Sequence, residues 1–474
     1  MSLNPKGCIS LLKAHDPCMT YGKVCKVVGL IAEGEGIKAS LGSVCELLPN
    51  GREKDGIYAE VVGFHDGSCL LMPYGEMRGV RPGTLIRTTS TPPLLPVGDQ
   101  FLGRCVDAFG VPFDNKPPPT PDQYYPLYAS PMNPLERPRI SEPLDVGVRS
   151  INGLLTLGKG QRVGIMAGSG VGKSTLMGMM ARYTKADVNV IALVGERGRE
   201  VLEFIEKDLG PEGMARSVVI CATSDHGPLV RIRSAHAASA MAEYFRDQGK
   251  DVLLMMDSVT RFAMASREVG LAAGEPPTTR GYTPSVFAQL PKLLERAGRS
   301  SKGTITGIYT VLVDGDDFNE PIADAVRSIL DGHIVLTRDL ADQGHYPAID
   351  VLKSISRLRT DVTPQEALAA GRTFIRHLAT YARVEDMVNI GAYNKGSNPD
   401  IDMAIKMIGP QRKYLQQTVE VGSDLTESYQ SLMNLITPQP PPTPGNPGKP
   451  NTMAKPGNTG KPAPPPKKPG QNKK

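Results

Sequence analysis

Hydrophobic positions along this chain change their period twice. From Gly22 to about Ser90 they come in short runs broken by turn signals. "KVVGLIAEG", "SVCELL", "IYAEVVGF", "SCLLMPYG" and "GTLIRTT" each read as one strand. Asp66-Gly67 supplies the residue pair that a two-residue hairpin turn favours. Five or six such strands predict a small closed barrel, with a sandwich as the alternative. Between about 150 and 360 the runs "RVGIM", "VNVIALVG", "SVVICAT", "DVLLMMD", "TITGIYTVLV" and "HIVLT" are almost continuously apolar. Parallel strands covered on both faces read this way. Helical stretches lie between them, among them Lys173–Tyr183 and Arg231–Gln248, so the block is an α/β nucleotide-binding core.

From about 364 the period becomes helical. Phe374, Leu378 and Tyr381 share one stripe, and Leu425, Tyr429, Leu432 and Ile436 share another. Residues 116–138, "KPPPTPDQYYPLYASPMNPLERP", hold too much proline for a helix or a central strand. They predict a covering connector that keeps Tyr124, Tyr125, Leu127 and Tyr128. The expected organisation is an N-terminal segment 1–20, a β-barrel domain 21–92, a P-loop domain 93–362, a helical domain 363–436 and a tail 437–474. In the first segment Ile9, Leu11 and Leu12 could line a brief helix. The tail has thirteen Pro and seven Lys and no acidic residue, a composition that predicts disorder.

Charge refines this picture only slightly. The net charge of +5 includes those seven lysines, so residues 1–436 sum to about −2. A near-neutral body predicts no specific nucleic-acid partner. Seven cysteines, at 8, 18, 25, 45, 69, 105 and 221, form no C-x-x-C and no regular framework. That pattern predicts a reducing cytoplasm. No window is apolar for long enough to span a bilayer.

The chemistry concentrates in "GIMAGSGVGKST". It follows a strand and opens a helix, as a phosphate-binding loop must. Ala167, Gly168, Ser169, Gly170, Val171 and Gly172 would wrap backbone N–H groups around phosphate oxygens. Lys173 would reach the β- and γ-phosphates, Ser174 would offer a hydroxyl to Mg²⁺, and Thr175 completes the motif. Ala167 stands where the strict pattern has Gly, a minor departure. Asp257 ends "DVLLMMD" and is the expected carboxylate behind the Mg²⁺. Glu196 ends "ALVGE". Its strand is expected beside the loop strand, which would set the carboxylate near the γ-phosphate to polarise the attacking water. Helix capping or a salt bridge to Arg199 is its alternative role.

"AGSGVGKSTLMGMMAR", "GERGREVLEFIE", "DSVTRFAMASREVGLAAGEPP", "LDGHIVLTRDLADQGHYPAIDVLKSISRL" and "IGAYNKGSNPDID" resemble the flagellar export ATPases of the type III secretion family. That family is similar to the catalytic β subunit of rotary ATP synthases. The resemblance runs from about residue 20 to 436. It implies a RecA-like core, ATP and Mg²⁺ as ligands, and a homohexamer with sites between subunits. It further implies that Arg197 and Arg261 lie near the γ-phosphate and that Tyr346 stacks on adenine. Arg357 would reach into the neighbouring subunit's site. A stator-like regulatory protein, a central stalk protein, a membrane export gate, exported protein substrates and chaperones are the implied partners. The implied location is the cytoplasm, peripheral to an inner-membrane export apparatus. The tail departs from the family pattern.

The expected function is therefore ATP hydrolysis coupled to protein export in flagellar assembly. The alternatives are a virulence-injectisome ATPase and a catalytic subunit of a rotary synthase. A non-hydrolysing ring subunit would lack Glu196. A ring-shaped RNA translocase would carry a basic, aromatic stripe on its barrel, which this chain lacks.

Overall fold

Strands β1 (Tyr21–Val28), β2 (Ile31–Glu35), β3 (Val44–Leu48), β4 (Ile57–His65), β5 (Ser68–Pro73) and β6 (Leu85–Thr88) close into a barrel in the order β1-β2-β5-β4-β3-β6. A computed structural model of the chain describes residues 21–51, 55–89, 93–313, 317, 320–436 and 464–465. Segment 1–20, with its expected brief helix, and nearly all of the tail lie outside the described residues. Alternation fills the barrel: Cys45 and Leu47, Ala59 and Val61, Cys69 and Leu71 all point inward. "KVVGLIAEG", expected as one strand, is instead the bend of the β1–β2 hairpin. The chain turns at Gly29, whose φ of 57° suits glycine. Asp66 and Gly67 both take positive φ, 46° and 82°, as the favoured hairpin turn requires.

The proline-rich connector carries an edge strand. β7 (Leu94–Val97) pairs antiparallel with β9 (Gln123–Pro126) in a two-stranded ribbon. Leu127 is fully buried beside it, and Tyr125 meets Tyr244 edge-on at 5.8 Å. A second small pair joins β10 (Pro143–Leu144) to β11 (Leu157–Gly158).

The central sheet is built from β8 (Arg104–Val106), β12 (Arg162–Ala167), β13 (Val188–Glu196), β14 (Ser217–Thr223), β15 (Asp251–Asp257), β16 (Gly298–Arg299), β17 (Thr304–Leu312), β18 (Gly332–Leu336) and β19 (Ile355–Ser356). Its order is β19-β18-β12-β17-β15-β13-β14-β8, with β16 paired to β17. All neighbours are parallel except the short β16 and β19. β8 is too short for periodicity to find. Along β13, Val190, Ala192 and Val194 join the core under helices Pro228–Asp247 and Val259–Ala272. Ile191 and Leu193 join the core on the other face, with helix Lys173–Tyr183. Coverage of both faces explains the unbroken apolar runs.

The C-terminal helices are Gln365–Asn389, Pro399–Leu415 and Leu425–Ile436. Phe374, Tyr414 and Leu432 are buried against the nucleotide core, and Leu378 packs beside them. The middle helix is hidden in sequence by Gly409-Pro410, which interrupts its apolar stripe. Among the described residues no helix is long and apolar enough to cross a membrane.

One expectation about the sheet is wrong. β13 is not the neighbour of β12; β17 and β15 stand between them. Three steps of about 4.8 Å therefore separate the two strands. The loop after β12 and two long side chains close that gap.

Candidate active site

β12 ends at Ala167 in strand geometry, so the missing glycine costs nothing there. The turn that follows is made at Gly170 and Gly172, with φ of 79° and 92°. A side chain at either position would be strained in that left-handed region. Buried Val171 anchors the loop, and Arg338 Nη2 donates to the Ser169 carbonyl at 3.1 Å. Helix Lys173–Tyr183 begins without a side-chain cap, which leaves its first-turn N–H groups for an anion. Ser174 is exposed at this terminus and Thr175 is half-buried.

Lys173 Nζ lies 2.5 Å from Asp257 Oδ1 and 3.6 Å from Glu196 Oε1. The three side chains come from the loop helix, β15 and β13, and all are largely buried. Thr310 Oγ1, from β17, donates to Asp257 Oδ1 at 2.7 Å and fixes that carboxylate. Nothing in the sequence singled out Thr310. A register shift between Val194 and Glu196 in the β13–β14 pairing brings Glu196 in, with Gly195 at φ 72° as the bulged residue. Burial pushes the Glu196 carboxyl up to about 7, helped by the Asp257 charge and opposed by Lys173. Its partner is Lys173, so the alternative of a salt bridge to Arg199 is not realised; Arg199 is exposed.

The two arginines expected nearby differ. Arg261 packs over the bulge, so close that a Cβ on Gly195 would sit 3.2 Å from Arg261 Cβ. Its Nε is buried and has no hydrogen-bond partner among the described residues. A buried donor of that kind fits an anion. Arg197 is exposed and pairs with Glu200 Oε1 at 3.4 Å. Arg357 is not gathered with Lys173 and Glu196. It is exposed just after edge strand β19, and its Nη2 is 3.5 Å from the Arg327 carbonyl.

Tyr346 is 47% exposed, and its ring would lie 3.7 Å from a Cβ on Gly172. With Pro347 it lines one side of a cavity of about 820 Å³ that runs alongside Thr175, Leu176 and Met179 of the loop helix. Residues 416–423 form the other side. This wall carries no motif, and only the fold brings it to the loop. A phosphate cradle at one end and a ligand-sized, partly apolar cavity at the other suit a nucleotide. The buried carboxylate with a pKa near neutrality suits proton transfer from water.

The family model "ATP synthase alpha/beta family, nucleotide-binding domain" matches residues 147–356, and the β-barrel domain model of that family matches 24–90. The "T3SS EscN ATPase C-terminal domain" matches 363–434. A flagellum-specific ATP synthase of Bacillus subtilis (strain 168) is 54% identical over 427 residues, covering 90% of this chain and 98% of its own length. A type 3 secretion system ATPase of Xanthomonas euvesicatoria is 50% identical over 420 residues, covering 88% and 93%. The solved structure of the assembled ATPase EscN from the enteropathogenic E. coli type III secretion system superposes with a TM-score of 0.83 at 45% identity. That match covers 88% of this chain and all of the other. EscN in complex with its central stalk EscO gives 0.81 at 44% identity, with 88% and 100% coverage. This chain belongs to the ATP synthase alpha/beta family, among the flagellar and type III secretion ATPases.

Proposed function

We propose that this chain is the Mg²⁺-ATP-hydrolysing ring subunit of a flagellar type III export apparatus, coupling hydrolysis to delivery and unfolding of exported proteins. The carrying observation is Glu196, a buried carboxyl near neutral pKa, 3.6 Å from the phosphate-loop lysine. The loop amides and Lys173 bind the β- and γ-phosphates. Glu196 orients a water against the γ-phosphorus and accepts its proton as the new P–O bond forms. The bond to the β-γ bridging oxygen breaks, giving ADP and phosphate. Ser174 and Asp257 would hold Mg²⁺, the hydroxyl directly and the carboxylate from behind, and the ion would neutralise phosphate charge. Arg261 and Arg197 complement that charge from the Glu196 side, and Tyr346 takes the adenine.

Arg357 acts on a second copy in this reading. β19 and β8 are opposite edges of one sheet. Leu352, Ile355 and Arg357 are exposed at the first edge. Near the second edge Phe113 and Leu202 are exposed, with Arg197 close to Leu202 in sequence. A head-to-tail contact between these unlike surfaces generates a closed ring when the rotation closes. A homohexamer with a central stalk partner, in the cytoplasm and peripheral to a membrane export gate, follows from this reading. The regulatory stator-like protein, exported substrates and chaperones complete it. The flagellar over the injectisome assignment rests on the motifs quoted above and on the flagellar relative at 54% identity.

The test is ATP turnover per subunit against protein concentration, with purified protein and Mg²⁺ alone. Specific activity that climbs with concentration is expected, because identical subunits complete each other's sites. Activity near zero at every concentration would overturn the reading in favour of a subunit needing a different chain.

A further inference from the structure

The cavity wall formed by residues 416–423 lies between two helices and has no helix or strand of its own. Its position is set from outside. Arg182 Nη2 and Tyr183 Oη both donate to the Val419 carbonyl at 2.9 Å. Tyr183 also fills the space beside Gly422, where a Cβ would meet its ring at 2.8 Å. On the other flank the Gln417 backbone N–H donates to the Tyr346 carbonyl at 3.0 Å, and Gln417 Nε2 donates to the Gly147 carbonyl at 2.8 Å.

Arg182 and Tyr183 are the last two residues of the helix that begins with Lys173. A helix rises about 1.5 Å per residue and does not stretch, so it is a rigid spacer. One end presents the phosphate amides and the other grips the far wall of the cavity. We infer that Arg182 and Tyr183 are positioning residues for the nucleotide base. Through the Val419 carbonyl, the phosphate-loop helix sets the distance between the γ-phosphate end of the site and the wall on which the base rests. Neither side chain belongs to the Lys173–Glu196–Asp257 cluster. Their loss therefore loosens ground-state and transition-state binding alike and leaves the chemical step intact. That is the signature of a KM effect with an unchanged kcat. This inference rests on the ATPase reading above.

The experiment compares wild type with an Arg182→Ala/Tyr183→Phe double variant and with Arg182→Lys, which keeps a donor within reach of the carbonyl. The double variant is expected to raise KM for ATP by about three- to tenfold, the equivalent of one to two net hydrogen bonds. Its kcat stays within about twofold, and Arg182→Lys stays near the wild-type KM. An unchanged KM in the double variant, or a fall in kcat at constant KM, overturns the inference. If the double variant does not fold, Tyr183→Phe alone removes a single hydroxyl and is read by the same KM and kcat split. Failure of the ATPase reading itself is separate, since wild type would then release no phosphate from Mg-ATP.

Discussion

Gly195→Ala tests how Glu196 comes to face the phosphate loop. Gly195 holds φ 72° at the bulge that ends β13. An alanine there costs about 1–2 kcal/mol in backbone strain alone. Its Cβ would also lie 3.2 Å from Arg261 Cβ, 3.4 Å from Arg261 Cγ and 3.5 Å from Arg231 Cδ. The first contact is tighter than ordinary packing, and Arg231 is held by Glu268 at 2.7 Å. Relief by side-chain movement is therefore costly, and the strand has a cheaper exit in losing the bulge. Side chains alternate faces along a strand, so removing a bulge turns the next residue to the opposite face. Glu196 would then leave Lys173, which it now approaches to 3.6 Å. Loss of a positioned general base reduces turnover by about 10²- to 10⁴-fold. The phosphate loop is untouched, so ATP affinity should remain. The assay is steady-state phosphate release with a fluorescent-nucleotide binding titration and a thermal unfolding curve on the same protein. A folded variant with kcat within about twofold of wild type would refute the bulge argument.

Three further outcomes concern Glu196 and Arg357. Glu196 is protonated below a pKa of about 7, and only its ionised form takes a proton from water. On that basis kcat/KM should fall about tenfold per unit below about pH 7 and level off above it, while Glu196→Gln binds ATP without turnover. A profile level down to about pH 5.5, as an ordinary carboxylate would give, would show that burial does not set this titration. Mixing Arg357→Ala with Glu196→Gln protein should restore part of the activity, since some interfaces then combine an intact arginine with an intact carboxylate. No recovery in rings shown to be mixed would place Arg357 outside the neighbour's site.

Most of the site was legible because local chemistry demands it. Positive φ at Gly170 and Gly172 needs glycine, and an anion at a helix start needs Lys and a hydroxyl next to it, so the loop is written in consecutive residues. Asp257 and Glu196 were legible as acids that end apolar runs. Thr310 and the 416–423 wall were not, because neither lies in a motif or ends an apolar run, and each meets the site only through contacts distant in sequence. A threonine inside an apolar strand and a short polar turn look alike whether or not they touch a site.

Periodicity, turn residues and the phosphate motif determined by themselves a barrel-like first domain, a parallel core and a helical end, though not β8, the β1–β2 hairpin or the middle C-terminal helix. They could not determine which strands lie side by side, because hydrogen-bonded order depends on where each crossover helix lands. Only the tertiary structure showed that two strands separate the loop strand from the Glu196 strand. It also showed that a bulge, a lysine side chain and a loop together bridge the distance. Arg357 illustrates the same division. Its residue type was evident in the sequence, but its place after the edge strand opposite β8 belongs to the fold.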